Sequence, residues 1–133
     1  MTPTLRKHLF FGILATLLSA ISTSAAEISV GDPDALAAAI QEVAAGDTII
    51  LQDGVWTDVR LIVRTNGTAE KPVTIRAQTR GKVILTGDSR IALAGEHIVV
   101  DGLWFQNPTG TESIVLRTGV RELANDCRFS QPL

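Results

Sequence analysis

Beyond Gly46 the apolar positions fall into short runs with a two-residue rhythm, and Gly, Asn, Asp or Pro interrupts each run. The runs are "TIIL" (48–51), "VRLIV" (59–63), "VTIRA" (73–77), "KVILTG" (82–87), "RIALAG" (90–95), "HIVV" (97–100), "LWF" (103–105) and "SIVLR" (113–117). Alternation in such runs puts every second side chain on one face, so the pattern predicts short strands with one buried side. Upstream the rhythm changes. After a strand-like piece, Ile28 to Val30, comes helix punctuation: Asp32 as N-cap, Pro33 at the first helical position, Asp34 in the first turn and Gly46 just past the end. Within the predicted helix, Pro33 to Ala45, residues Leu36, Ile40 and Val43 form one apolar stripe with Ala37 and Ala44 beside it, while Gln41 and Glu42 turn outward.

The first 26 residues follow neither rhythm. Arg6 and Lys7 precede a largely apolar run, Leu9 to Ile21, and small residues, Ser22 to Ala26, close it. That order predicts a signal peptide (1–26) cleaved near Ala26 and a periplasmic or secreted destination. A membrane anchor needs roughly 20 apolar residues and a basic flank, which this run lacks, so no stable anchor is expected after cleavage. The mature chain, 27–133, then begins near Glu27.

Short strands alone fit an antiparallel sandwich or a parallel solenoid, and repeats separate the two. Aligning "EHIVVDGLWFQN" (96–107) with "RELANDCRFSQ" puts Asp101 over Asn125, Leu103 over Cys127 and Phe105 over Phe129, each 24 residues on. Val99 likewise lies 24 after Ile75, and Ile75 lies 25 after Ile50. A unit of about two dozen residues built of short strands and turns is one coil of a parallel β-helix, stable only when stacked on its neighbours. The expected fold is therefore all-β, a right-handed parallel β-helix (solenoid) with Ile50, Ile75, Val99 and Leu123 stacked inward and the helix as N-terminal lid. No matching cap follows "NDCRFSQPL", which predicts a chain cut short within its β-helix domain.

Composition narrows the function classes. A net charge of −2 provides no basic field for nucleic acid. The single cysteine, Cys127, excludes an internal disulfide and paired-cysteine zinc sites, and is simplest as a small buried apolar residue. The 45% of apolar residues is weighted to Ile, Val, Leu and Ala, with aromatics at 5%, as a thin sheet core requires.

"GDTIILQDGVW", "GTAEKPVTIRAQTRGKVILTGDSRIALAGEHIVVDGLWFQN" and "NDCRF" together resemble the N-terminal coils of the β-helix polysaccharide lyases that include poly(mannuronate) alginate lyases and chondroitinase B. The resemblance spans Glu27 to about Gln131. In this setting Gly46, Gly54, Gly81, Gly87 and Gly102 serve turns that need positive φ or close approach, and Pro72 starts a strand. What the resemblance implies is β-elimination on an anionic polysaccharide, alginate or a related polyuronate, by an enzyme whose Lys and Arg move the protons while Ca2+, expected for the full-length family member, engages the substrate acid. None of those family residues maps onto this sequence, so no catalytic or metal residue is assigned, substrate-binding residues stay unknown, and the chain alone is expected to be inactive. The alternative is a non-catalytic β-solenoid, a carbohydrate-binding or adhesive surface module.

Each candidate side chain also has a simpler role. His97 reads as a turn histidine, and His8 leaves with the signal. Asp101, Asp126 and Glu122 near Asn125 have the oxygen chemistry of a calcium site, but acids and amides at coil corners usually bond their own turns. Arg60, Arg64, Arg76, Arg80, Arg90 and Lys82 face outward and suit either a groove for a polyanion or a solvated coil face, the latter being the simpler. Asn66 in "NGT" matches a glycosylation acceptor, although a Gly turn explains it. Trp56 and Trp104 are candidates to stack on sugar rings, Trp104 the better of the two.

Overall fold

The computed structural model describes residues 24–109 and 128–130. Ten strands and one helix succeed one another in that part: β1 (Glu27–Val30), α1 (Pro33–Glu42), β2 (Thr48–Leu51), β3 (Gly54–Thr57), β4 (Arg60–Val63), β5 (Val73–Ala77), β6 (Val83–Gly87), β7 (Arg90–Leu93), β8 (Ile98–Asp101), β9 (Leu103–Pro108) and β10 (Arg128–Ser130). Among the described residues no strand pairs with its sequence neighbour across a hairpin. Every pairing is parallel and joins one coil to the next, giving three sheets ordered β1-β2-β5-β8-β10, β3-β6-β9 and β4-β7. This is the parallel β-helix expected, with the right-handed winding that parallel crossovers in one sheet adopt.

Inside the coil, like sits on like. Ile49, Ile75 and Val100 are in register down the first sheet, Trp56, Leu85 and Phe105 down the second, and Leu61 and Ile91 down the third, all buried. Full burial of such a side chain is worth about 1.5–3 kcal/mol, and here it is achieved only because a neighbouring coil covers each rung. Trp56 belongs to this core: it is 5% exposed, and its indole N–H donates to the Gln52 carbonyl at 3.1 Å. That removes it as a sugar-stacking residue.

The facing of the first sheet corrects the sequence expectation by one residue. Ile50 is in register with Arg76, and Val99 with Thr74; both apolar residues lie half-buried on the outer face, while Ile49 and Val100 take the inward places beside Ile75. A slip of one residue exchanges the faces of a strand. Ile75 alone of the expected rung points inward, and Leu123 lies outside the described residues. The upper repeat is corrected too, because β10 pairs with β8 and sets Phe129 beside Val100 and Ser130 beside Asp101. Arg128 and Phe129 are thus one storey up but over Val99 and Val100, not over "LWF"; Asn125, Asp126 and Cys127 lie outside the described residues.

A constant period fails because the corners differ in length. From one coil to the next, Trp56 aligns with Leu85, yet Leu61 aligns with Ile91, so the later coil holds one more residue between the second and third sheets. Ser89 occupies that corner and is buried. Its hydroxyl accepts the Val59 N–H at 3.0 Å and donates to the Thr86 carbonyl at 2.5 Å, which supplies the partner that the extra residue would otherwise take from the ladder. All five glycines expected in special turns have positive φ. At Gly102, φ 75°, an added Cβ would stand 3.2 Å from the Arg80 backbone.

The lid forms as punctuated at its start. Asp32 is extended, and its carboxylate accepts the Ala35 N–H at 2.8 Å. Leu36, Ala39 and Ile40 are buried in the common core, against β1 and β2. The end differs from expectation: the helix stops at Glu42, Val43 is an extended C-cap, and Ala37 and Ala44 are exposed. Asp47 explains the early exit. Its carboxylate accepts the Ala44 N–H and the Ala26 N–H, both at 2.9 Å, while the Ala26 carbonyl accepts the Thr48 N–H, so the exit is tied to the start of the first sheet. Among the described residues no helix is long and apolar enough to cross a membrane. The predicted signal segment up to residue 23 lies outside them.

Candidate functional site

Outward positions decide what the described coils can hold. On the third sheet, alternation along β4 turns Arg60 and Ile62 outward, followed by Arg64, and β7 adds Arg90. The two strands set Arg60 beside Arg90, a like-charge pair that would repel. Asp88 resolves the conflict, because one of its carboxylate oxygens is bonded to the Arg60 guanidinium and lies 3.5 Å from that of Arg90. Asp88 is itself held by its own N–H, which donates to Asp58 Oδ1 at 2.8 Å. Asp58 has φ 55° and follows β3, so the corner between the second and third sheets is built from two stacked acids.

The first sheet disposes of two more cations. Arg76 pairs with Glu27 at 3.6 Å and Arg80 with Asp101 at 2.6 Å. Four of the six expected groove cations are therefore engaged with carboxylates, and these exposed pairs are worth about 0–1 kcal/mol each. Among the described residues Arg64 and Lys82 make no ion pair. A continuous basic groove is thus not what these coils present; the cationic character is concentrated on the third sheet, where Arg60, Arg64 and Arg90 face one acid.

Trp104 is 41% exposed on the second sheet, in register with half-buried Ile84 and, through it, with Val55, which is 68% exposed. This makes an outward apolar ladder across three coils, with the hydroxyls of Thr57 and Thr86 3.3 Å apart beside it. The exposed indole fits the role the sequence suggested; Ile84 and Val55 were missed, although outward Val55 in "GVWT" is legible from its alternation with Trp56.

His97 lies in a turn with φ 51°, and its carbonyl accepts the Val73 N–H at 3.0 Å, in keeping with a turn histidine. Asn66 is also a corner residue, its side-chain oxygen accepting the Glu96 N–H at 3.1 Å. Asp101 is committed to Arg80, while Glu122, Asn125 and Asp126 lie outside the described residues. Among the described residues no three His, Cys, Asp or Glu side chains come together. The described side chains do not form the oxygen cage that a calcium ion requires.

The family model for chondroitinase B matches residues 30–132. Among solved structures, the PL6 family alginate lyase AlyGC is 36% identical with a TM-score of 0.71, over 77% of this chain and 14% of that one. A PL6 family polysaccharide lyase from Pseudopedobacter saltans is 36% identical with a TM-score of 0.59, over 61% of this chain and 19% of that one. A PL6 alginate lyase in complex with a trisaccharide is 26% identical with a TM-score of 0.56, over 77% and 21%. This chain therefore spans well under two thirds of each of these lyases. No curated protein matches it.

Proposed function

The chain belongs to the chondroitinase B family, and on that footing we propose that it forms the N-terminal coils of an exported polysaccharide lyase that cleaves 4-linked uronic-acid polymers, alginate first among them, by β-elimination. The observation that carries this reading is the match over residues 30–132 to a lyase family, joined to a coil-by-coil parallel register and a helical lid in the same stretch.

In β-elimination the C5–H and C4–O4 bonds break and a C4–C5 double bond forms. The C5 proton passes to a base, O4 departs with a proton from an acid, and the adjoining carboxylate must be neutralised while charge builds on it. These groups have to be held together for the step to proceed. Among the described residues the imidazole available is a turn histidine, and most guanidinium groups are matched by carboxylates. We assign to residues 24–109 the work of nucleating the solenoid and sealing its first coil, and we place proton transfer and calcium binding on coils outside them.

The test compares this chain with a longer protein that contains it. Each is incubated with polymannuronate, polyguluronate and dermatan sulfate, with and without calcium, while the ultraviolet absorbance of the unsaturated product is followed. The expected result is product from the longer protein on at least one polyuronate, and none from the 133-residue chain. Absence of product from the longer protein on all three polymers refutes the lyase reading and favours a binding module. Calcium-dependent product from the short chain that vanishes in His97→Ala moves the active site into these coils.

A further inference from the structure

A groove of about 490 Å³ runs between α1 and β4, lined by Ile40, Gln41, Val43, Ile62, Arg64 and Thr65. It exists because the lid packs on β1 and β2 and leaves the end of the third sheet uncovered. Ile62 consequently stands 58% exposed, an unusual place for a large apolar side chain, and half-buried Val43 continues the apolar floor at the helix exit. At one side is Arg64, exposed and without an ion pair among the described residues. Among the described residues no carboxylate lines the groove.

An apolar floor, one guanidinium, one amide and one hydroxyl are the complement of an acidic sugar. The C–H face of a pyranose ring would cover Ile62 and Val43, a carboxylate would take the planar fork of Arg64, and ring hydroxyls would meet Gln41 and Thr65. A free inorganic anion would leave Ile62 uncovered, and a neutral sugar would leave Arg64 unused. We propose that this groove is an accessory, non-catalytic site for a short segment of a uronic-acid polymer. The choice of a uronate over other organic acids rests on the lyase reading above. Such a site adds avidity to a catalytic site elsewhere on the same polymer, provided that one strand reaches both.

The test uses the whole chain, expressed with its leader so that processing is left to the host, and labelled for amide spectra. Saturated oligomannuronate and oligoguluronate are titrated against a neutral β-1,4-linked glucose oligomer. The expected result is saturable shifts at Gln41, Val43, Ile62, Arg64 and Thr65 with the acidic oligomers only. Arg64→Ala should weaken binding about tenfold, the loss of one charge-assisted pair, with Arg64→Lys in between. Ile62→Ser should weaken it while leaving its salt dependence unchanged, a separation that a general loss of folding would not give. Shifts that map to the Trp104 ladder, affinity unchanged in Arg64→Ala, or no saturable binding at all would overturn the proposal. Those outcomes leave the lyase reading standing, since that is judged on product release by the longer protein; a binding groove on a protein without turnover separates the two in the other direction.

Discussion

Two isoleucines on neighbouring strands, one register position apart, test the facing of the first sheet. Ile75 is fully buried, with Ile49 and Val100, also buried, in register on either side. Replacing it by Ala removes buried carbons and leaves a space that flanking coils held by backbone ladders cannot close, so the cost should fall at about 2–5 kcal/mol. Ile50 lies on the other face, half-buried and in register with Ser29 and Arg76. Its truncation loses part of one side chain's covered area and opens no enclosed space, which limits the cost to about 1 kcal/mol.

The measurement is urea unfolding of both variants, with stability taken by linear extrapolation. Slopes should match the parent, so that midpoints compare like with like. Because a loss near 5 kcal/mol consumes most of the stability of a small domain, Ile75→Val serves as a milder probe, expected to cost about 0.5–1.5 kcal/mol. Equal costs for Ile50→Ala and Ile75→Ala would refute the inward assignment of Ile49, Ile75 and Val100. Equal costs of about 2–5 kcal/mol would restore the frame read from the sequence, in which Ile50 and Ile75 both point inward.

Leu36→Ala should cost about 2–5 kcal/mol in the same assay, because the side chain is fully buried beneath the lid; a loss below about 0.5 kcal/mol would show that the lid does not seal the first coil. Ser89→Ala should cost about 1–3 kcal/mol by leaving the buried Val59 N–H without its acceptor, and a neutral result would mean that water or a shifted backbone replaces the hydroxyl. Backbone N–H bonds from Ala26 and then Ala44 hold the Asp47 carboxyl below the usual carboxylate range. The stability it confers is therefore present above the unfolded carboxylate value and is lost as pH falls through the lower, folded value. Asp47→Asn should flatten the acid limb of the unfolding midpoint against pH, and so, in part, should a chain beginning at Glu27, which keeps only the Ala44 bond.

Fold type was legible because it depends on features that survive small errors of frame. Strand after strand with turn residues between, repeated at roughly two dozen residues, is hard to reconcile with hairpins, and Asp32-Pro33 marks a helix start by local chemistry alone. Facing was not legible, for a reason visible in the residues. "TIIL" offers Ile49 and Ile50, "HIVV" offers Ile98, Val99 and Val100, and "RLIV" offers Leu61, Ile62 and Val63, so apolar side chains occur at both parities and alternation cannot choose between them. The choice is made by the partner in a neighbouring coil, 26 residues away between β2 and β5, 25 between β5 and β8, and 30 between β4 and β7. The same holds for the cations. Sequence shows that Arg60 and Arg90 can face outward, but not that the extra residue at the Ser89 corner brings Asp88 between them. Arg64, at the end of its strand and past that corner's reach, is left outside this neutralisation, and Ile62 is left outside the lid. The site proposed on these coils thus arises where two different packing rules both run out, at the junction of the helix and the third sheet.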